Sequence, residues 1–474
     1  MKIVSHFLRC IVAVGLIVGC SNQYLFSQDN EFIELNLHAC PVPKKPDAIR
    51  LLPREQELRD GNAAIELLRM PWEQQNFMEL KRKKMSDWLE MEGDNAELLK
   101  YEETFAHFKD KMRRSAYTRD ADWDYPLGEK PTALIPLPDV QGMRAFVGRV
   151  MSLWIRIQIS RGDLKEAEEG LLIQMACARH VCRTPVLVCN LVGVAVARIG
   201  FVQLEELIQH PKAENFYHAL SMLPNSFGDI QATADIEAAL IRGSIPSLNG
   251  VALLPVGDAK WKNAYEELFD NYLSGFPSTK TLRTDLGNQA QVCAEDLSKL
   301  TDFTDQQLQE MSDEETFVRW VIFYADKFGS KYISAVQLPI HEAIQALADL
   351  EKEVDQFNKK IVRSDAEDAS ESTGGILFSF RSVAPYMGCH RTGRDAKLLQ
   401  IVEAIRHFAS QNENRLPNSL SDIKLHLPVD PFTNKRAQYE LKEGVATLRW
   451  PSIPNVKDKD VFSRSYKIQM ADAN

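Results

Sequence analysis

Apolar residues recur at three- and four-residue intervals through most of this chain, and that spacing predicts helices. Met143, Phe146, Val147, Val150, Met151, Trp154 and Ile157 form the clearest stripe, and Gly162-Asp163 ends it. A second helix is predicted over Lys165 to Val181, with Ala167, Leu171, Met175 and Ala178 on one side. Pro185 then opens a very apolar helix that runs to about His210. Its richest stretch, Val186 to Val202, carries Asn190 and Arg198 and is short for a bilayer crossing, so it is expected to be a buried central helix. Helical patterning also covers Ala63 to Met70, Trp72 to Glu92, Ala96 to Arg114, Asn215 to Leu223, Asp235 to Ile241, 260–273, 285–300, 304–328 and 336–362. Proline and glycine break the pattern between Tyr125 and Pro138 and again between Gly243 and Gly257, which predicts loops there.

The last part of the chain changes period. Arg394 to Gln411 is amphipathic through Leu398, Ile401, Ala404, Ile405 and Phe408. Two strand-like runs follow, Ala437 to Leu441 and Val445 to Trp450, and Lys442-Glu443-Gly444 between them is a hairpin signal. A helix and a small antiparallel sheet are therefore expected from residue 392 on. Ser364 to Gly375 is acidic, small and polar, and reads as a linker.

The N-terminus bears on location. Lys2 and Arg9 precede an apolar run from Cys10 to Val18 that is shorter than the ~20 residues of a spanning helix. Ile17-Val18-Gly19-Cys20 follows and resembles a bacterial lipobox, in which the cysteine thiol carries the diacylglycerol. The resemblance implies a signal peptide over 1–19, lipidation of Cys20 and a membrane anchor of several acyl chains with no transmembrane helix. Ser21 after the cysteine leans towards the periplasmic face of the outer membrane. Residues 20–50, with Pro41, Pro43 and Pro46, read as a lipidated tether. The formal net charge of −10, with no long basic run, argues against nucleic acid as a partner. Lys81-Arg82-Lys83-Lys84 is the one short basic cluster singled out, and it reads as a solvated helix face.

Chemical motifs are sparse. Cys177, His180, Cys182 and Cys189 invite a zinc reading, but Cys182 is five residues from Cys177, Pro185 interrupts before Cys189, and no CxxC pair exists, so core packing is expected. His341-Glu342 begins like a zinc-protease motif, but Gln345 stands where its second histidine belongs. Asp122-Trp123-Asp124 sets two carboxylates around an indole. These aspartates, with Glu168, are the candidates for acid and base if the chain is an envelope hydrolase acting on peptide or glycan. The plainer expectation is a turn plugged by the indole. No phosphate-binding, dinucleotide or nucleophile-elbow motif occurs, so no catalytic, cofactor or metal residue is assigned.

Three further resemblances add to this reading. Helix, Gly-Asp-Leu-x-x-Ala, helix at Gly162 to Ala167 is similar to the corner of a tetratricopeptide-type hairpin, though no clean 34-residue repeat is found. LPNSLSDI at 416–423, DPFTNK at 430–435 and Tyr439 resemble the headpiece of type II secretion pseudopilins, without the hydrophobic assembly helix such a subunit needs. Blocks spread over Arg113 to Pro451 resemble a family of uncharacterised exported proteins of planctomycete-type bacteria, with Ala121 where a cysteine is expected. The expected fold is mainly α: a helical-hairpin (TPR-like) array over 51–363, a linker over 364–391 and a small α+β module over 392–474. The expected function is a lipid-anchored envelope protein that binds or scaffolds a protein or peptide partner.

Overall fold

The computed structural model describes residues 32–471 apart from 74–76, 78–83, 126, 128–139, 249–253, 272, 274–282, 284–285, 362–382, 455 and 457–462. The lipobox cysteine, the basic residues 81–83 and the acidic stretch 364–375 therefore lie outside the described residues. The chain is mainly helical with a small sheet. Its elements run β1 (Ile33–Leu37), β2 (Arg59–Asn62), α1 (Ala63–Glu73), α2 (Lys84–Trp88), α3 (Ala96–Leu99), α4 (Glu102–Ala116) and β3 (Thr118–Asp120). One helical run then comprises α5 (Val140–Met143), a π-helical stretch (Arg144–Val150) and α6 (Met151–Arg161). Next come α7 (Leu164–Val181), α8 (Leu187–Leu207), α9 (Tyr217–Ser221), α10 (Ile230–Gly243), α11 (Lys260–Asn271), α12 (Leu286–Leu300) and α13 (Asp305–Glu310). The remainder is α14 (Asp313–Val336), α15 (Ile340–Ile361), α16 (Val383–Gln411), β4 (Gln438–Lys442), β5 (Val445–Arg449) and β6 (Ser465–Met470).

The chain divides into two compact units. The first comprises Tyr24–Asp124, Pro138–Asp229 and Ala384–Asn474. Its four-stranded sheet has the order β1-β6-β5-β4. β4, β5 and β6 run antiparallel, while β1 joins β6 in parallel with Leu35 opposite Ile468. Ala446, Leu448, Tyr466 and Ile468 alternate onto a fully buried face, joined by Leu35 and Leu37. That alternation fixes the register, because a slip of one residue would expose all of them.

The helical corner at Gly162 has a clear local cause. Gly162 takes φ 75°, a left-handed cap that a side-chain-bearing residue adopts only at a cost. Asp163 then caps α7 by accepting from the Glu166 amide. A side chain at Gly170 would meet Ile155 Cγ1 at 2.7 Å, so α6 and α7 pack backbone-close just beyond the turn. α8 is, among the described residues, the one helix long and apolar enough to cross a membrane. It is instead a core helix, with Asn190, Arg198, Gln203 and Glu205 all buried.

Among the described residues, the second unit is chiefly Ile230–Val383. Gly329 of α14 lies against Ala238 of α10, whose Cβ would be 3.1 Å from an added methyl. An aromatic core of Trp261, Phe269, Phe317, Trp320, Tyr324 and Phe357 fills it. Arg319 is buried there, donating to Glu315 at 2.8 Å and to the Leu254 carbonyl at 2.7 Å and lying 4.3 Å over the Trp261 ring.

Several expectations are corrected. The tether assigned to 20–50 contains β1, which adds an edge to the C-terminal sheet. The linker assigned to 364–391 is helix from Val383 on. Pro385 sits in the first turn of α16, where its missing N–H is not needed. Gly388 and Gly393 are close-approach sites: side chains there would meet Leu191 Cδ2 at 2.8 Å and Asn225 Cα at 2.4 Å. The module expected to begin at 392 is accordingly part of the first unit, together with most of the N-terminal half, while 230–383 forms the second. The helix expected over 304–328 is two, α13 and α14, with Ser312 capping the second.

Candidate functional site

The sequence candidates do not converge. Trp123 is the plug: its indole donates to the His180 carbonyl at 2.9 Å, at the C-terminal end of α7. Asp122 accepts from the Asp124 amide at 2.9 Å, and Asn62 both donates to the Asp122 carbonyl and accepts from its amide. The two aspartates are exposed turn residues, with Asp124 at φ 53°. Glu168 is twelve residues before His180 on the same helix, roughly 18 Å along its axis at ~1.5 Å per residue. Burial pushes Glu168 up, and Lys165 at 3.0 Å opposes the shift.

The cysteine-histidine group is dispersed in the same way. Cys177 Sγ approaches the Met112 carbonyl at 3.6 Å and Cys182 Sγ the Asn190 carbonyl at 3.6 Å, and all described cysteines are free thiols. Burial pushes the Cys177 thiol up to about 12 and the His180 imidazole down to about 4. Among the described residues no group of three or more His, Cys, Asp and Glu is placed to hold a metal ion. Gln345 bonds to Asp349 one turn on, while His341 lies beside Glu342.

What the sequence did not suggest is an arginine-rich network inside the first unit. Arg198 of α8 donates to Asp395 of α16 at 3.0 Å, and Arg464 donates to the same oxygen at 2.8 Å. Arg464 also reaches Glu205 at 2.5 Å, and the Tyr466 hydroxyl donates to that carboxylate at 2.6 Å. Arg394 forms a two-pronged pair with Asp430 at 2.8 and 2.9 Å, and Asp430 also accepts from the Phe432 amide. About three turns further along α16, Arg406 donates to Glu403 at 3.0 Å and to the carbonyls of His38, Ala213 and Glu214. Burial and the neighbouring guanidiniums push Arg391 down to about 9. Asp395 is held below its ordinary range because Arg198 and Arg464 outweigh its burial. These groups lock α8, α16, β6 and the segment around Asp430 into one arrangement. Arg198, Arg394, Arg406 and Arg464 are each paired with a buried carboxylate, which is the behaviour of a structural core.

A pocket of about 170 Å³ lies elsewhere in the same unit, lined by Leu89, Arg156, Ile199, Val202, Gln203 and Glu206. Ile199, Val202, Gln203 and Glu206 share one face of α8 by their three- and four-residue spacing. Arg156 comes from α6, and its guanidinium reaches Glu206 at 3.2 Å and donates to the Leu89 carbonyl. Gly93 has no room for a side chain, since an added Cβ would lie 2.4 Å from the Arg156 carbonyl. The 89–93 segment is thereby pressed onto α6. Gln203 is 3% exposed, and its Oε1 meets no hydrogen-bond donor. Burial, reinforced by Glu92, pushes Glu206 up against the opposing pull of Arg156.

The surface of α1 also stands out. Ile65 is 55% and Trp72 69% exposed, seven residues apart on one helix face, with exposed Arg69 between them. No protein-family model, curated protein or solved structure matches the chain.

Proposed function

We propose that the chain is a lipid-anchored envelope protein, held through Cys20, that docks a protein or peptide partner. In this reading the helical hairpins act as a TPR-like scaffold, and the C-terminal helix and sheet are a headpiece-like module borrowed from the pseudopilin pattern. The observation that carries the partner reading is the Ile65-Arg69-Trp72 ridge. Exposed tryptophan and arginine are the residue types that dominate binding energy at interfaces. The lipid anchor rests on the Ile17-Val18-Gly19-Cys20 pattern.

A photo-crosslinking residue placed at position 72, compared with one on an exposed position of α15 such as Lys352, tests the docking face. The reading expects a discrete adduct from position 72 in intact envelopes, lost when Ile65 is changed to Ser. Equal, diffuse labelling from both positions would overturn it.

A further inference from the structure

We propose that the pocket between α6, α8 and the 89–93 segment is a binding site for a small primary ammonium compound with a short branched alkyl group. The inference goes beyond the docking role and does not depend on it. The size sets the scale: a cavity of ~150 Å³ takes a benzene ring, so 170 Å³ suits a ligand of roughly six to eight heavy atoms. The chemistry of the wall sets the class. Leu89, Ile199 and Val202 supply an apolar side for an alkyl group. Glu206 spends one carboxylate oxygen on Arg156 and has the other to offer. Gln203 Oε1 is a buried acceptor with no donor, and a buried unpaired acceptor is a cost that a ligand N–H would remove. Glu92 adds negative charge to the surroundings of Glu206, which favours a cation there. An ammonium group supplies the three donors that two acceptors of this kind need. The same chemistry occurs in a free amine, an amino acid and a peptide N-terminus.

The test is calorimetric titration of the purified mature chain with isobutylamine, valine amide, valine and isobutyrate, each at up to about 10 mM. Isobutylamine and valine amide are expected to bind, and isobutyrate is not. Valine binding as well as valine amide assigns the site to free amino acids, with Arg156 receiving the carboxylate. Valine amide binding alone assigns it to amines and peptide N-termini. Glu206→Gln is expected to weaken binding at least tenfold. Val202→Phe, which fills the pocket without changing charge, is expected to abolish it while leaving the circular dichroism spectrum unchanged. No heat with any amine, or equal affinity in both variants, would overturn the proposal.

Discussion

Replacing Asp395 with Asn tests whether the interior of the first unit is held by charge. Asp395 is 3% exposed and accepts from Arg198 and Arg464 at 3.0 and 2.8 Å. At an effective dielectric of ~20, each contact is worth about 5–6 kcal/mol of Coulomb attraction, most of it offset by desolvation. The substitution keeps the shape and removes the charge, leaving two buried guanidiniums short of a carboxylate. Breaking a buried pair from one side costs about 3–5 kcal/mol, a large part of an ordinary domain's ~5–15 kcal/mol. Urea melts at pH 7 should show that loss. Asp395→Asn combined with Arg198→Met should recover part of it, since the two sites share one interaction. The pH dependence has a definite sign. The folded form of Asp395 is lowered below its ordinary 3.8, so its contribution is complete above that value and lost as pH falls through the lowered one. The wild type should therefore lose stability steeply below pH ~4, and Asp395→Asn should lose less over that range. An Asp395→Asn variant within about 1 kcal/mol of wild type at pH 7 would refute the charge-locked core.

Two further stability predictions follow from backbone packing. At the α6–α7 corner, Gly162→Val should cost ~1 kcal/mol or more through backbone strain alone, since an added Cβ meets nothing within 4 Å. Ala167→Leu, at a fully buried position, should cost ~1–3 kcal/mol, and Asp163→Ala ~1 kcal/mol; denaturant midpoints of the three variants check the order. Gly393→Ala should cost ~1–3 kcal/mol, because its methyl would meet the Asn225 backbone at 2.4 Å; a midpoint equal to wild type would show that the 224–228 segment moves freely.

The helical character of the chain was legible because the stripes through α6, α7 and α8 repeat at helical spacing, and the Gly162-Asp163 corner is written in residue types with one backbone role each. The hairpin of β4 and β5 was legible for the same reason, with Glu443 and Gly444 at positive φ in its turn. What was missed depends on partners far away in sequence. Ile33, Leu35 and Leu37 alternate as a strand should, but the partner that makes them one is β6, more than four hundred residues on. Pro385, Gly388 and Gly393 look like breakers until Leu191 and Asn225 are seen to need the space. The arginine network was invisible because Arg198, Asp395 and Arg464 carry no local motif; each is an ordinary charged residue whose burial is decided by tertiary pairing. Gln203 and Glu206 were hidden in the same way, as ordinary polar residues near the end of a helix read chiefly for its apolar content.

The central claim is anchoring at Cys20, and metabolic labelling with palmitate in the native or a closely related host tests it most directly. Label is expected in the wild type, which should be recovered in the outer-membrane fraction. Cys20→Ala should carry no label and should accumulate as a longer, unprocessed precursor. An unlabelled wild type, cut at the same place as the variant and released in soluble form, would contradict it.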